Sequence, residues 1–195
     1  MKRLFAALKI HPDDDFLVKY RELKQSLRHE QIKWVEDHNI HVTLKFFGET
    51  EAGVIPAICD VLKKRGAITP SIDLQLKGTG IFGSSYAPKV IWLGIEPYAE
   101  ISMLMQQIHG DLKSIGFEPD RQNLIPHLTL GRIRFLADKV IFHRTLEHFK
   151  AISSAPVQIG EIILFESILR REGPEYFALE TFPLVKKNSP DNLKV

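Results

Sequence analysis

His41-Val42-Thr43-Leu44 and His127-Leu128-Thr129-Leu130 are one tetrad written twice in a single chain. In a strand, residues i and i+2 share a face. His41 therefore points with Thr43, and His127 with Thr129, while Val42, Leu44, Leu128 and Leu130 turn towards a core. The two histidines lie 86 residues apart, and the same offset governs the flanking chain. Lys89 to Ile95 answers the strand that begins at Lys2 to Leu8. The periodicity predicts a helix from about Ala99 to Ile115, answering one that starts at Asp13-Asp14-Asp15 and carries Phe16, Tyr20, Leu23 and Leu27. Asp138 to Phe149 answers a helix over Thr50 to Arg65, with Pro56 in its first turn and Gly66 ending it. Val157 to Leu164 answers the strand Ser71 to Leu76. The strand from His41 is expected to run to Phe47 and stop at Gly48. One offset across five elements in order is an internal duplication.

A duplicated β-α-β-α-β order predicts two similar α+β lobes facing each other across a groove. The repeats occupy about residues 3–77 and 89–165 of a single domain over 1–184, with exchange of strands between the lobes left open. Gly78 to Pro88, rich in Gly and Ser, reads as the connection between lobes, and Val185 to Val195 as a mobile tail.

Length and charge narrow the function. The chain has 195 residues, with 26 Lys plus Arg against 24 Asp plus Glu, a formal net charge of +2. That balance excludes a strongly basic nucleic-acid coat and a polyacidic tail, and leaves room for a local basic cleft. Met1-Lys2-Arg3 is followed by five apolar residues before Lys9, shorter than the roughly 7–15 of a secretory signal. No stretch approaches the roughly 20 apolar residues of a membrane helix. A lone cysteine, Cys59, forms no internal disulfide and sits in an apolar setting that favours packing over reactivity. A reducing cytoplasm is the expected compartment, and a monomer the expected state.

With 8 His, 7 Thr and 22 Leu, random placement yields about 0.03 His-x-Thr-Leu tetrads. Two at equivalent places in a duplicated frame form a working set. The chemistry that needs it is phosphodiester cleavage by general acid–base catalysis. A neutral imidazole takes a proton from attacking water, and a protonated one gives a proton to the leaving alkoxide. The Thr43 and Thr129 hydroxyls donate to non-bridging phosphate oxygens. The scheme requires no metal and no cofactor. Metal-ligand spacings such as His-x-His, His-Glu-x-x-His or a Cys cluster do not occur.

The paired tetrads, Phe46-Phe47-Gly48-Glu49 after the first, Pro126 before the second, Trp34, Pro88 to Gly94 and Tyr176 resemble the two-histidine (2H) phosphoesterase superfamily. Within it the chain is most similar to RNA 2′,3′-cyclic phosphodiesterases, also called 2′-5′ RNA ligases. The similarity runs from Arg3 to about Pro183. It implies a LigT-like bilobal α+β fold, with antiparallel-type sheets facing a central cleft that holds both tetrads. It implies hydrolysis of RNA or nucleoside 2′,3′-cyclic phosphates to 2′-phosphates, and the reverse, ATP-independent 2′-5′ joining of RNA ends. By that resemblance His41 is the proton donor, His127 the proton acceptor, and Thr43 and Thr129 bind phosphate. The tetrads alone, being symmetric, do not say which histidine is the acid.

Three further residues are placed by the same pattern. Arg132 matches a family arginine that contacts the phosphate, but strict alternation puts it on the face of Leu128 and Leu130. A bulge at Gly131 would turn it round; a solvated strand-end cation is the alternative. Lys45 and Phe47 share the His41 face by alternation, as an added positive charge and a ring that stacks a base. Core packing is the alternative for Phe47, and Phe46 is expected in the core. Two other functions stay open: a 2H enzyme for a different phosphodiester, such as a 2′-5′ oligonucleotide or a cyclic-phosphate nucleotide derivative, and a low-turnover module that binds RNA ends.

Overall fold

The computed structural model describes residues 1–119, 125–171 and 173–187. In chain order the elements are β1 (Lys2–Lys9), α1 (Asp14–Ser26), β2 (Gln31–Trp34), β3 (His41–Thr50), α2 (Ile55–Gly66), β4 (Ile72–Gly83), β5 (Pro88–Glu96), α3 (Tyr98–Leu112), β6 (Leu128–Phe135), α4 (Lys139–His148), β7 (Val157–Ile159), β8 (Glu161–Leu169) and β9 (Pro174–Pro183). The expected elements are present, except that the single strand expected over Val157 to Leu164 is broken at Gly160 into β7 and β8, and α1 and α4 begin where short acids cap them. Asp13 accepts from the Phe16 N–H and Asp138 from the Ile141 N–H, each at 2.9 Å, satisfying donors that a helix start leaves unpaired.

The strands form one antiparallel sheet in the order β7-β4-β5-β6-β3-β1-β8-β9, with β2 also pairing β6. The duplication explains that order. β3 and β6, the tetrad strands, are central neighbours, and their paired residues are Val42 and Leu128. These are the same position in the two copies, so a pseudo-two-fold axis passes through this pair. Each copy lends its last strand to the other: β4 pairs β5 and β7, while β8 pairs β1 and β9. The lobes are halves of a shared sheet.

β7 and β8 are separated by Gly160 alone, yet they pair at opposite ends of the sheet. One residue spans only a few ångströms, so the sheet must curl until its two ends meet. The Leu184 N–H donates to Gly160 O at 2.8 Å across that seam. The helices cover one face and bury a continuous core that includes Phe16, Tyr20, Leu62, Leu104, Ile108 and Phe142 together with Leu4, Leu8, Val42, Leu93 and Leu128 from the sheet. The opposite face carries a smaller apolar group, Phe5, Ala7, Ile163 and Phe165 with Tyr176 packed against it.

Three further sequence expectations are corrected. Gly78 to Pro88 is no inter-lobe connection: residues 78–83 extend β4, a turn over 84–87 follows, and β5 begins at Pro88. Gly80 belongs there because a Cβ would overlap the Trp92 ring packed on it. β3 does not stop at Gly48 but passes through it, at φ +73°, to Thr50. The start of the tail is docked: the Val185 N–H donates to Thr69 O at 2.8 Å and the Lys187 N–H to Ser71 Oγ at 3.2 Å. The remainder of the expected tail, residues 188–195, lies outside the described residues.

Candidate active site

The two central strands place the tetrads side by side. Continuing the Val42–Leu128 register by one residue either way sets His41 beside Thr129 and Thr43 beside His127. All four point to the face without helices. Both rings are fixed in the same manner. His41 Nδ1 lies 2.6 Å from Asn39 O and His127 Nδ1 lies 2.8 Å from Ile125 O, in each case the carbonyl two residues back. A carbonyl only accepts, so Nδ1 carries the proton and donates, leaving Nε2 for chemistry.

The surroundings of the two rings differ. His41 packs against Phe5, with centroids 5.1 Å apart, and edge-on to Tyr176 at 5.3 Å; Phe5 in turn stacks on Phe165 at 5.2 Å. This aromatic enclosure holds the His41 pKa down to about 4, chiefly by burial, with the charges of Lys9 and Arg132 and the neighbouring His127 adding to the effect. His127 has Phe82 edge-on at 4.7 Å. Its pKa is also lowered, by burial first and then by Arg132.

A cavity of about 530 Å³ opens on this face, lined by His41, Thr43 and Thr129 at its floor, within the roughly 300–1,000 Å³ usual for ligand sites. His127 stands at its edge against Phe82 and is not among the lining residues. One wall is β2 with the chain that follows it, the other the β8–β9 hairpin with Tyr176.

At the last residue of each tetrad the strand bulges. Opposite β1, Thr43 pairs Ala7 and Lys45 pairs Ala6, so Leu44 is the extra residue. Opposite β5, Thr129 pairs Trp92 and Gly131 pairs Ile91, so Leu130 is the extra residue. These are equivalent positions in the two copies. Each bulge puts two consecutive residues on the core side and reverses the alternation that follows. Arg132 is thereby turned into the cavity, as a bulge near Gly131 predicts.

The same event in the first copy overturns the placement of Lys45 and Phe47. Lys45 is only 4% exposed, and its Nζ donates to Glu118 O at 3.3 Å. Phe47 packs into the core edge, with Phe117 edge-on at 5.2 Å. Phe46, expected in the core, instead lines the cavity at 44% exposure, and the Arg3 guanidinium sits 4.9 Å from its ring centre. Phe46 and Arg132 are thus equivalent positions, an aromatic ring in one copy and a cation in the other.

Each bulge carbonyl is met by a buried polar side chain from a crossing helix. The Tyr20 hydroxyl, from α1, lies 2.8 Å from both Leu130 O and Val35 O, donating its one proton to either. From α3, His109 Nε2 donates to Leu44 O at 3.1 Å. Neither role has a sequence signature, because both residues read as ordinary helix-face positions. Gly131 is needed for close approach: a Cβ there would lie 2.8 Å from Ile32 Cγ2 and 2.9 Å from Trp34 Cε3 of β2. Among the described residues, no three His, Cys, Asp or Glu side chains converge in a way that could hold a metal ion.

A curled antiparallel sheet whose two central strands each present a His-x-Thr pair to one cleft defines a two-histidine phosphoesterase. The model of the 2′-5′ RNA ligase superfamily matches residues 12–169, and the chain belongs to that family. It is 31% identical over 161 residues to an RNA 2′,3′-cyclic phosphodiesterase of Aeropyrum pernix, covering 80% of this chain and 90% of that one. A Methanothermobacter thermautotrophicus protein of the same name is 29% identical over 154 residues, covering 79% and 83%. Among solved structures, a protein of Thermus thermophilus superposes with TM-score 0.76 at 22% identity, covering 95% of this chain and 100% of that one. E. coli LigT complexed with 3′-AMP gives 0.72 at 22% identity, with 94% and 98% covered; these likenesses establish the LigT-like fold.

Proposed function

We infer that this chain is an RNA 2′,3′-cyclic phosphodiesterase, hydrolysing 2′,3′-cyclic phosphate ends to 2′-phosphates. The observation that carries this reading is the pair of tetrads on the two central strands, with His41, Thr43 and Thr129 on the floor of the cleft and His127 at its edge. Two imidazoles with Nδ1 tied to backbone leave two Nε2 atoms beside two threonine hydroxyls, with Arg132 at their edge. The names of the curated relatives point to the same substrate.

The phosphate binds between the Thr43 and Thr129 hydroxyls, with Arg132 on a non-bridging oxygen. His127 Nε2 takes a proton from water as its oxygen attacks phosphorus. The P–O3′ bond breaks, and His41 Nε2–H gives its proton to the departing O3′. One proton is accepted and one donated, and the rings exchange them with solvent before the next turnover. Replacing water by a 5′-hydroxyl in the same step forms a 2′-5′ linkage without ATP. In the empty cleft His41 is neutral at pH 7, since burial holds its pKa near 4. The negative phosphodiester restores the imidazolium, so the acid is charged by its own substrate. The exposed Phe46 ring gives the base a stacking surface. The reaction needs no metal, and the enzyme works as a cytoplasmic monomer.

The test is hydrolysis of a nucleoside 2′,3′-cyclic phosphate in excess chelator. Activity is expected to persist, and His41→Ala or His127→Ala to lower kcat about 10²–10⁴-fold, the usual worth of a positioned acid or base. Loss of activity on chelation, or an unimpaired His41→Ala, His127→Ala double variant, would falsify the reading.

A further inference from the structure

The cleft holds more positive charge than one phosphodiester uses, and this inference rests on the cyclic-phosphate reading above. Lys33 on β2 pairs directly with Arg132 on β6, and both line the cavity. Like charges directly opposite on antiparallel strands destabilise the sheet. Arg3, over the Phe46 ring, lines the same cavity. Among the described residues none of these three cations is paired with a carboxylate. Glu36 is the acid lining the cavity; its neighbour Asp37 is engaged by Arg21 at 3.1 Å and Lys24 at 3.2 Å.

A 2′,3′-cyclic phosphodiester carries one negative charge, and Arg132 beside the two threonines matches it. The remaining cations call for a ligand with further anionic charge, and the register says where it lies. Lys33 is level with Arg132, three residues along β6 from Thr129, or about 10 Å at 3.3 Å per residue. Gly173, at the end of the β8–β9 hairpin, stands over it: a Cβ there would lie 3.8 Å from Lys33 Cε and Nζ. The Arg132 guanidinium reaches back along β6: its charge is felt at both His41 and His127, whereas that of Lys33 is felt at neither. The Lys33 ammonium faces the cavity between its two walls, one nucleoside (~10 Å) away from the tetrads.

We propose that Lys33 binds the phosphate on the 5′ oxygen of the terminal nucleotide, so that the cleft takes the end of an RNA strand in preference to a mononucleoside cyclic phosphate. Arg132 holds the cyclic phosphate, Lys33 the next phosphate along the chain, and Arg3 adds positive potential on the opposite wall.

The experiment compares kcat/KM for three substrates: a nucleoside 2′,3′-cyclic phosphate, its 5′-phosphorylated form, and a dinucleotide ending in the cyclic phosphate. The protein without substitution is expected to favour the dinucleotide over the nucleoside about tenfold, as a charge-assisted contact implies. Its salt dependence should be steeper by about 0.7 in log–log slope, one single-strand phosphate. Lys33→Gln should reduce the preference to about twofold or less while changing the nucleoside rate less than twofold, and Lys33→Arg should retain it. Equal rates on nucleoside and dinucleotide overturn the inference and leave the cyclic phosphodiesterase reading standing. An equal loss on all three substrates in Lys33→Gln also overturns it, by placing Lys33 at the scissile phosphate. A preference confined to the 5′-monophosphorylated nucleoside marks a mononucleotide site and contradicts the strand reading. Hydrolysis of none of the three overturns the function itself.

Discussion

At the residue scale the site depends on one asymmetry between two copies of the same tetrad. Both histidines are tied through Nδ1 to the carbonyl two residues back, so local backbone geometry gives them equal chemistry. What separates them is enclosure: Phe5 and Tyr176 pack against His41, while His127 has Phe82. Burial disfavours an imidazolium, and His41 titrates near 4 in the free protein. Its folded pKa lies below the unfolded value of about 6.5, so the unfolded chain binds the proton more readily. The stability this group contributes is complete above about pH 6.5 and is lost as pH falls towards 4. Thermal unfolding followed from pH 7 to pH 4 should show a falling Tm, and His41→Gln should flatten that fall. Binding a nucleoside 2′-phosphate at pH 6.5 should draw close to one proton from solution, read as the buffer dependence of the binding enthalpy. Binding without proton uptake would contradict a substrate-charged acid. The tetrads themselves were legible in the sequence, because period-2 geometry and a repeated motif need no tertiary information. The enclosure was not, since Tyr176 comes from a strand far along the chain.

At the scale of the element, the two bulges decide which side chains reach the cleft. Strict alternation carries His41, Thr43, Lys45 and Phe47 on one face. An extra residue at Leu44 reverses the last two and brings Phe46 into the cavity instead. The bulge in β6 was foreseeable from Arg132 and Gly131. Its twin in β3 is equally legible, because the duplication maps Leu130 onto Leu44. The bulges are held by polar groups from the helices, and this gives a stability prediction. Tyr20→Phe removes the hydroxyl bonded to Leu130 O, and an unsatisfied buried carbonyl costs about 1–3 kcal/mol. The Val35 N–H still donates to that oxygen at 2.8 Å, so a loss near 1 kcal/mol is expected in denaturant unfolding. Gly131→Ala should cost about 1–3 kcal/mol by overpacking, because its Cβ meets Ile32 and Trp34. It should also raise KM, since β2 forms one wall of the cleft.

Across the whole molecule, the duplication fixes the sheet order and the sheet order fixes the cleft. The two repeats were readable as lobes from a constant offset. Exchange of strands between the lobes was open from the sequence, but which strands cross was not legible, because pairing partners leave no trace in local pattern. With β4 paired to second-repeat strands and β8 paired to β1, neither half can complete a sheet alone. Unfolding should therefore be a single transition, with tryptophan fluorescence and far-ultraviolet circular dichroism giving the same midpoint; two separated midpoints would mean independent lobes. The small net charge of +2 fits a site that concentrates its cations in one cleft. The account stands on two histidines acting from opposite sides on one phosphate, with His41 delivering its proton to the 3′ oxygen. Product analysis by phosphorus NMR, starting from a nucleoside 2′,3′-cyclic phosphate, tests this most directly. The 2′-phosphate should be the sole product; accumulation of the 3′-phosphate is incompatible with His41 protonating the 3′ oxygen.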